Sequence, residues 1–422
     1  MSPSPPVTLN ARTAAPPLPA RTRLAVVIAR WTAAVSRRLG LGSGGVIGGR
    51  VALALDPSAL RRLSQGRTVV LVTGTNGKTT TALMLSHALQ TLGEVATNGD
   101  GANMPEGVVA ALVAKPHAPV AVLEVDESYL PAIAGEVRPE CLVLLNLSRD
   151  QLDRVGEVRQ LERDLRAVAA TLPDTTVVAN CDDPMVTSAA FASRRPLWVS
   201  AGQRWAADAV TCARCGRTVW RAGSEWGCEC GLARPDPQWT LIDDTLLSSQ
   251  GTALTLDLRL PGLANAANAA VAIATADRLG VSPHVTAAQL RTITDVAGRY
   301  RRSQLSGRDV RLLLAKNPAG WRETLPLLDP RAPVVIAVNS SEADGRDTSW
   351  LWDVPFEDLR GRPVVAAGAR ASDLAVRLTY AEVRHTVCRR PADAVTSLPP
   401  GPVEFVANYT AFRDAHQQLR DD

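Results

Sequence analysis

At 422 residues the chain is long enough for two or three domains rather than one small core. Apolar residues make up 46% and charged residues 21%, the balance of an ordinary globular protein, and a net charge of +4 excludes the dense basic surface of a typical nucleic-acid binder. The basic residues are nearly all arginine; the lysines are Lys78, Lys115 and Lys316 alone, so a lysine at a motif position carries weight.

Residues 1 to about 22 are rich in Pro and Ala and are expected to lack fixed structure. This start has no apolar run of signal-peptide type, and no uncharged stretch reaches the ~20 residues that span a bilayer. The expectation is a cytoplasmic protein. The stretch "LAVVIARWTAAVSRRLG", Leu24 to Gly40, reads as an amphipathic helix. Its simpler role is to pack on the following domain; the alternative is that Arg30, Arg37 and Arg38 touch anionic lipid.

From Arg67 the pattern is α/β. "RTVVLVTG" is a buried strand ending in a turn, and "KTTTALMLSHALQTLG" is a helix ending at Gly93. "PVAVLEVDES", "ECLVLLNLS" and "TTVVAN" supply three more apolar strands. Such runs alternating with helices predict a parallel sheet covered on both faces, with ligands at the carboxyl ends of the strands. Between strand and helix lies "TGTNGKTTT". Against the common G-x-x-x-x-G-K-[ST] pattern it has Val72 where the first glycine belongs. Phosphate binding needs a tight turn, inward backbone N–H groups and a helix N-terminus. Gly74 and Gly77 permit the turn. Lys78 is placed to reach phosphate, and the Thr79 hydroxyl to ligate Mg²⁺.

Residues 205 to 240 break the pattern with Cys212, Cys215, Cys228 and Cys230, and with four tryptophans. The spacing C-x₂-C-x₁₂-C-x-C predicts two knuckles converging on a tetrahedral thiolate site of the kind that holds a structural Zn²⁺. The alternatives are two disulfides, which a cytoplasmic setting disfavours, or unlinked thiols. Short β segments follow, then the helix "NAANAAVAIATADRLG" ending at Gly280. A linker-like "GRYRRSQLSGRD" precedes a second α/β unit of Rossmann-like type, with strands "VRLLLA", "PVVIAVN", "RPVVAAG" and "PVEFVAN". The expected domains are a tail and helix at 1–45, a central domain at 46–302 carrying the ribbon insert 205–240, and a C-terminal domain at 303–422.

"TGTNGKTTT" resembles the ATP loop of the Mur ligases and folylpolyglutamate synthases, which activate a carboxylate as an acyl phosphate for attack by an amine. Further likenesses run along the chain in order: "LEVDES", "LLNLSRDQLDRVGE", "VVANCDDP", "LPGLANAANAAVA" and "AGR" at 297–299. The resemblance implies an ATP site at Gly74, Thr75, Asn76, Gly77, Lys78, Thr79, Thr80, Asn268 and Arg299, with Mg²⁺ on Thr79 and Glu124. Two departures stand out. Gln151 occupies the place of a usual metal-binding histidine, and the following segment lacks the lysine that several Mur ligases carbamoylate.

A cysteine ribbon inside such a domain resembles the MurT type, the ligase-like subunits of the lipid II isoglutaminyl synthases of Gram-positive bacteria. So do "LLLAKNPAGWRETL", "ADGRDTSW" and "ANYTAFRD". This implies ATP-dependent amidation of the D-glutamate α-carboxylate of the lipid II stem peptide, at the inner face of the plasma membrane. None of Cys141, Cys181 and Cys388 has the setting of a glutaminase nucleophile, a strained turn with a histidine nearby. The resemblance implies a GatD-like class I glutaminase partner, whose Cys–His pair is completed by Asp347, with Asp344 and Asp353 as near neighbours. Lys316 is either a phosphate contact or a surface turn. Two rivals are a stand-alone amino-acid-adding ligase and a nucleic-acid-associated ATPase that uses the ribbon as its reader.

Overall fold

A computed structural model of the chain describes residues 16–39, 45–98, 101–149, 158–202, 207–296, 299–342 and 344–419. The chain divides into two compact units. The first takes residues 1–147, 159–259 and 263–293; the second takes 148–158, 260–262 and 294–422.

The first unit opens with the helix Ala20–Arg38, packed through Thr22, Ala25, Val26 and Ala29. Small residues let its partner helix Gly45–Leu55 approach closely: a Cβ on Gly48 would lie 3.2 Å from the Ala29 carbonyl oxygen. The Thr22 hydroxyl donates to buried Asp56 at 2.6 Å, which fixes the helix start.

Strands β1 (Thr68–Thr73), β2 (Val95–Thr97), β3 (Val120–Glu124), β4 (Cys141–Leu144), β5 (Thr176–Asn180) and β6 (Pro196–Ser200) are followed by a small hairpin, β7 (Trp220–Ala222) and β8 (Glu225–Gly227). Then come β9 (Trp239–Ile242), β10 (Thr245–Ser248) and β11 (Ala253–Thr255). All but the hairpin form one nine-stranded sheet, in the order β11-β10-β9-β6-β5-β4-β1-β3-β2. Every pair from β2 to β9 is parallel, and β10 and β11 extend the sheet antiparallel. Central β1 is buried at all six positions, which is why its sequence is a β-branched apolar run without polar alternation. The four predicted strands are present. The structure adds the short β2 and the half-buried β6.

The second unit holds β12 (Tyr300–Leu305), β13 (Arg308–Leu314), β14 (Val334–Ala337), β15 (Val364–Ala367), β16 (His385–Val387) and β17 (Gly401–Ala407), in the order β12-β13-β17-β14-β15-β16. Successive β14 side chains alternate between two cores. Val334 and Ile336 join one with Trp321, Trp350 and Phe356; Val335 and Ala337 join the other with Phe405 and Phe412. A sheet buried on both faces is the expected doubly wound arrangement.

One expectation fails here. The linker-like stretch is strand β12, paired antiparallel with β13 from Tyr300↔Leu313 to Leu305↔Arg308. Ser306 and Gly307 turn the chain with φ of 47° and 78°, the double positive φ of a tight two-residue hairpin. Among the described residues no helix is long and apolar enough to cross a membrane.

Candidate active site and cysteine cluster

The loop between β1 and the helix Lys78–Leu89 lies at the carboxyl end of the central strand. Gly74, at φ 136°, passes so close to the end of β4 that a Cβ would sit 2.9 Å from that of Leu145. Gly77 caps the helix in the left-handed region, φ 86°. Its added Cβ would lie 2.5 Å from Asn268 Oδ1, so the asparagine of the distant L-P-G-x-x-N-x-x-N stretch borders the loop. The amides, the turn and the positive helix end of a phosphate cradle are thus in place without a glycine at position 72.

Asn146, just past β4, pins the loop. Its Oδ1 accepts from Asn76 N at 2.9 Å, its Nδ2 donates to Asn76 O at 3.0 Å, and its carbonyl accepts from Thr75 N at 2.9 Å. Lys78 is buried; its ammonium donates to Gly74 O at 2.6 Å and to both oxygens of buried Glu127, at 3.2 and 3.3 Å. Thr79 Oγ1 donates to Glu124 Oε2 at 2.8 Å. Glu124, the last residue of β3, is held by Asn98 through both its backbone groups, at 2.8 Å each. Asn103 Nδ2 lies 3.5 Å from its other oxygen. Thr75 and Thr80 are buried beside this set. A hydroxyl and a carboxylate paired beneath a phosphate cradle are the hard oxygen donors that suit Mg²⁺, which takes few protein ligands and keeps waters. The residues therefore fit ATP and magnesium.

Asn98, Asn103, Asn146 and Glu127 were not singled out from the sequence. The Asn-Cys-Asp-Asp-Pro turn is built as a helix cap. Asp183 accepts from Met185 N and Val186 N and also from Leu147 N at 2.9 Å, and burial pushes its carboxyl up to about 6. Gln151, Ala297 and Gly298 lie outside the described residues.

The cysteine prediction meets a compact cluster. The Sγ atoms of Cys212, Cys215, Cys228 and Cys230 all lie within 4.8 Å of one another. Cys212 and Cys230 stand at 3.6 Å, and Cys215 and Cys228 at 3.3 Å. Zn–S bonds of ~2.3 Å in a tetrahedron require S···S separations near ~3.8 Å, so the donor set fits one zinc ion. All four are free thiols, which removes the two-disulfide alternative. Gly216 and Gly231, φ 77° and 86°, close the two knuckle turns. The Leu232 amide draws the Cys230 thiol down to about 7. The cluster is docked on the sheet from both sides of the hairpin. Buried Trp226 donates its indole N–H to Cys181 O at 2.9 Å, and Arg234 Nε donates to Asp182 at 2.8 Å.

In the second unit, the candidate aspartates separate by environment. Asp344 is buried and accepts from Thr410 N and Oγ1 and from Ser341 Oγ. Asp353 pairs with Arg149 at 3.7 Å. Asp347 is exposed, and its Oδ1 accepts from Ser349 N at 2.8 Å in an Asx turn, its one hydrogen bond among the described residues. Arg299 and Lys316 also belong to the second unit and are half-buried. Lys316 directly precedes the buried Asn317, which caps the helix Pro318–Thr324 by accepting from Gly320 N.

The Mur ligase middle domain matches residues 72–276, and the MurT ligase C-terminal family matches residues 314–412. The MurT subunit of lipid II isoglutaminyl synthase (glutamine-hydrolyzing) from Staphylococcus aureus is 29% identical over 94% of this chain and 97% of its own. The subunit of the same name from Streptococcus pneumoniae is 30% identical over 85% of this chain and 86% of its own. In fold, the chain resembles MurF from Acinetobacter baumannii, with a TM-score of 0.66 at 19% identity, over 88% of this chain and 81% of that one.

Proposed function

The chain belongs to the MurT family, and from that premise we propose that it is the synthetase subunit of a lipid II isoglutaminyl synthase. It amidates the D-glutamate α-carboxylate of the stem peptide to D-isoglutamine. The observation that carries this reading is the Thr79–Glu124 pair, 2.8 Å apart beneath a phosphate loop, in a chain that aligns with MurT subunits over most of its length.

A carboxylate oxygen of the substrate attacks the γ-phosphorus of ATP. The bond to ADP breaks and an acyl phosphate forms. The nitrogen lone pair of ammonia then attacks the acyl carbon, phosphate departs, and the nitrogen loses one proton. Loop amides from Gly74 to Thr80 and the Lys78 ammonium hold the β- and γ-phosphates and offset charge on the transferred group. Asn268 and Arg299 serve the nucleotide. Thr79 and Glu124 would hold Mg²⁺, which would supply positive charge to the phosphate oxygens. The four cysteines would hold Zn²⁺, and a site with four protein ligands would serve structure rather than catalysis.

Ammonia comes from a GatD-like class I glutaminase in a heterodimer. Asp347 is the carboxylate that orients the partner's catalytic imidazole, as the third member of any such triad does. Its exposure supports that role over buried Asp344, and the lack of an ion pair among the described residues supports it over Asp353, which is paired with Arg149. The reaction belongs at the cytoplasmic face of the membrane, where lipid II presents its stem peptide.

The test is reconstitution. The purified chain and a class I glutaminase, given lipid II, ATP and glutamine, are expected to yield amidated lipid II with one ADP per amide. Lys78→Ala should abolish it. No amide product from both subunits together would overturn the reading. An amino-acid adduct formed by the chain alone would put the stand-alone ligase in its place.

A further inference from the structure

We propose that the helix Ala20–Arg38 is an interfacial anchor that lays an exposed apolar stripe into an anionic lipid surface. At 3.6 residues per turn its sequence divides into three strips. The buried strip is Thr22, Ala25, Val26 and Ala29, the face packed in the first unit. Diametrically opposite run Leu24, Val27 and Trp31, exposed at 59%, 64% and 69%, continued past the helix end by Leu39 at 66%. A helix that only covers a core has polar residues on that side. Large side chains exposed at i, i+3 and i+7 along one line form a patch that monomeric surfaces seldom leave uncovered.

Charge decides what covers it. Arg23, Arg30 and Arg37 recur every seven residues along one flank of the stripe, and Arg38 ends the helix. All four are exposed, and none makes an ion pair among the described residues. The helix contains five arginines and no acidic residue. An apolar ridge bordered by a cationic row, with a tryptophan at its centre, matches acyl chains beneath anionic headgroups. A second protein surface would need an equally one-sided acidic rim. The orientation fits as well: the opposite face is locked to the first unit by Thr22, Asp56 and Arg62, so the stripe is presented on a rigid mount. The docking does not depend on the amidation reading. Its use does: a lipid-borne substrate would then be met in two dimensions.

The experiment is flotation of the full chain, alone and with its glutaminase, on vesicles of phosphatidylcholine alone or mixed equally with phosphatidylglycerol. Binding to the mixed vesicles and not to the neutral ones is expected, and it should weaken as salt is raised. Trp31→Glu should release the chain. Removing Arg23, Arg30 and Arg37 together as glutamines should lower affinity by about fivefold per arginine. All four side chains are exposed, and an unchanged thermal melt with unchanged ATP binding separates loss of docking from loss of fold. Amidation of a water-soluble stem-peptide substrate should be the same in Trp31→Glu and the parent. If neither amidates it, the functional reading fails while the flotation result stands. The inference is overturned if the chain ignores anionic vesicles. It is equally overturned if Trp31→Glu instead dissolves a homodimer or the complex with the glutaminase, which would name a protein as the occupant.

Discussion

Lys78 meets a counter-ion before any phosphate arrives. Its ammonium is buried against Glu127, and a buried charge whose partner is removed costs about 3 kcal/mol or more. Glu127→Ala is therefore expected to lower stability by roughly that amount when no nucleotide is present. Phosphate oxygens can replace the missing carboxylate, so ATP should raise the melting temperature of this variant more than that of the parent. Equal shifts in paired thermal melts would show that Lys78 does not reach the nucleotide. Asp347 calls for a different readout. Asp347→Asn should abolish glutamine-driven amidation by the complex and leave ammonia-driven amidation within about twofold, because an amide keeps the Asx turn but cannot stabilise an imidazolium. Equal loss of both would place the residue in the synthetase reaction. Lys78 and Thr79 were legible because motif spacing names them, and Glu124 because the family resemblance of "LEVDES" points to it. Glu127 was not: "LEVDES" offers three acids within four positions, and only the register at the end of β3 decides which one faces the lysine. Asn146 was hidden for a related reason, since its bonds to Asn76 span seventy residues of chain.

At the scale of elements, the ribbon has two anchors and a cluster of four cysteines that fits a metal. Cys212, Val219, Trp226, Cys228 and Leu232 form its small core, too little apolar surface to fold unaided. Four thiolates without a metal would also repel one another. The purified chain should carry about one zinc per molecule, and a strong chelator should remove it with loss of the ribbon rather than of the sheet. Trp226 reports this, because its indole is bonded to Cys181 O in the docked state and its fluorescence should shift to the red on release. Metal analysis that finds no zinc would end the claim. The same element shows what spacing conveys: C-x₂-C and C-x-C knuckles can be read because short loops leave few geometries. Strand β12 shows the opposite. "YRRSQL" has one fully buried residue, and its strand character comes from pairing with β13 and from the Ser306-Gly307 turn. Tertiary pairing outweighs composition at a sheet edge. The runs of β1 and β14 were plain because burial on both faces admits only apolar side chains.

At the scale of the whole molecule, the question is where nitrogen comes from. A glutaminase nucleophile must be a thiolate at working pH, exposed to substrate and beside a histidine. Four of the seven cysteines are drawn into one tight cluster. Cys141 lies inside β4 with no exposed surface. Cys181 is buried, and burial with the neighbouring Asp182 charge pushes its thiol up to about 12, so it stays protonated. Cys388 is half-buried against the second unit's core, and its thiol lies 3.8 Å from the Arg390 carbonyl oxygen. No thiol in the chain is equipped for glutamine hydrolysis, while the phosphate loop is equipped for carboxylate activation. The proposed division of labour between two proteins, with ammonia passing between them, accords with this distribution of thiols. Cys181→Ala and Cys388→Ala should each leave glutamine-driven turnover of the complex within about twofold of the parent, since neither thiol is in the path. Alkylating the glutaminase before mixing should abolish glutamine use and preserve ammonia use. Loss of glutamine-driven turnover in Cys388→Ala, with ammonia-driven turnover intact, would place the nucleophile in this chain and overturn the two-protein scheme.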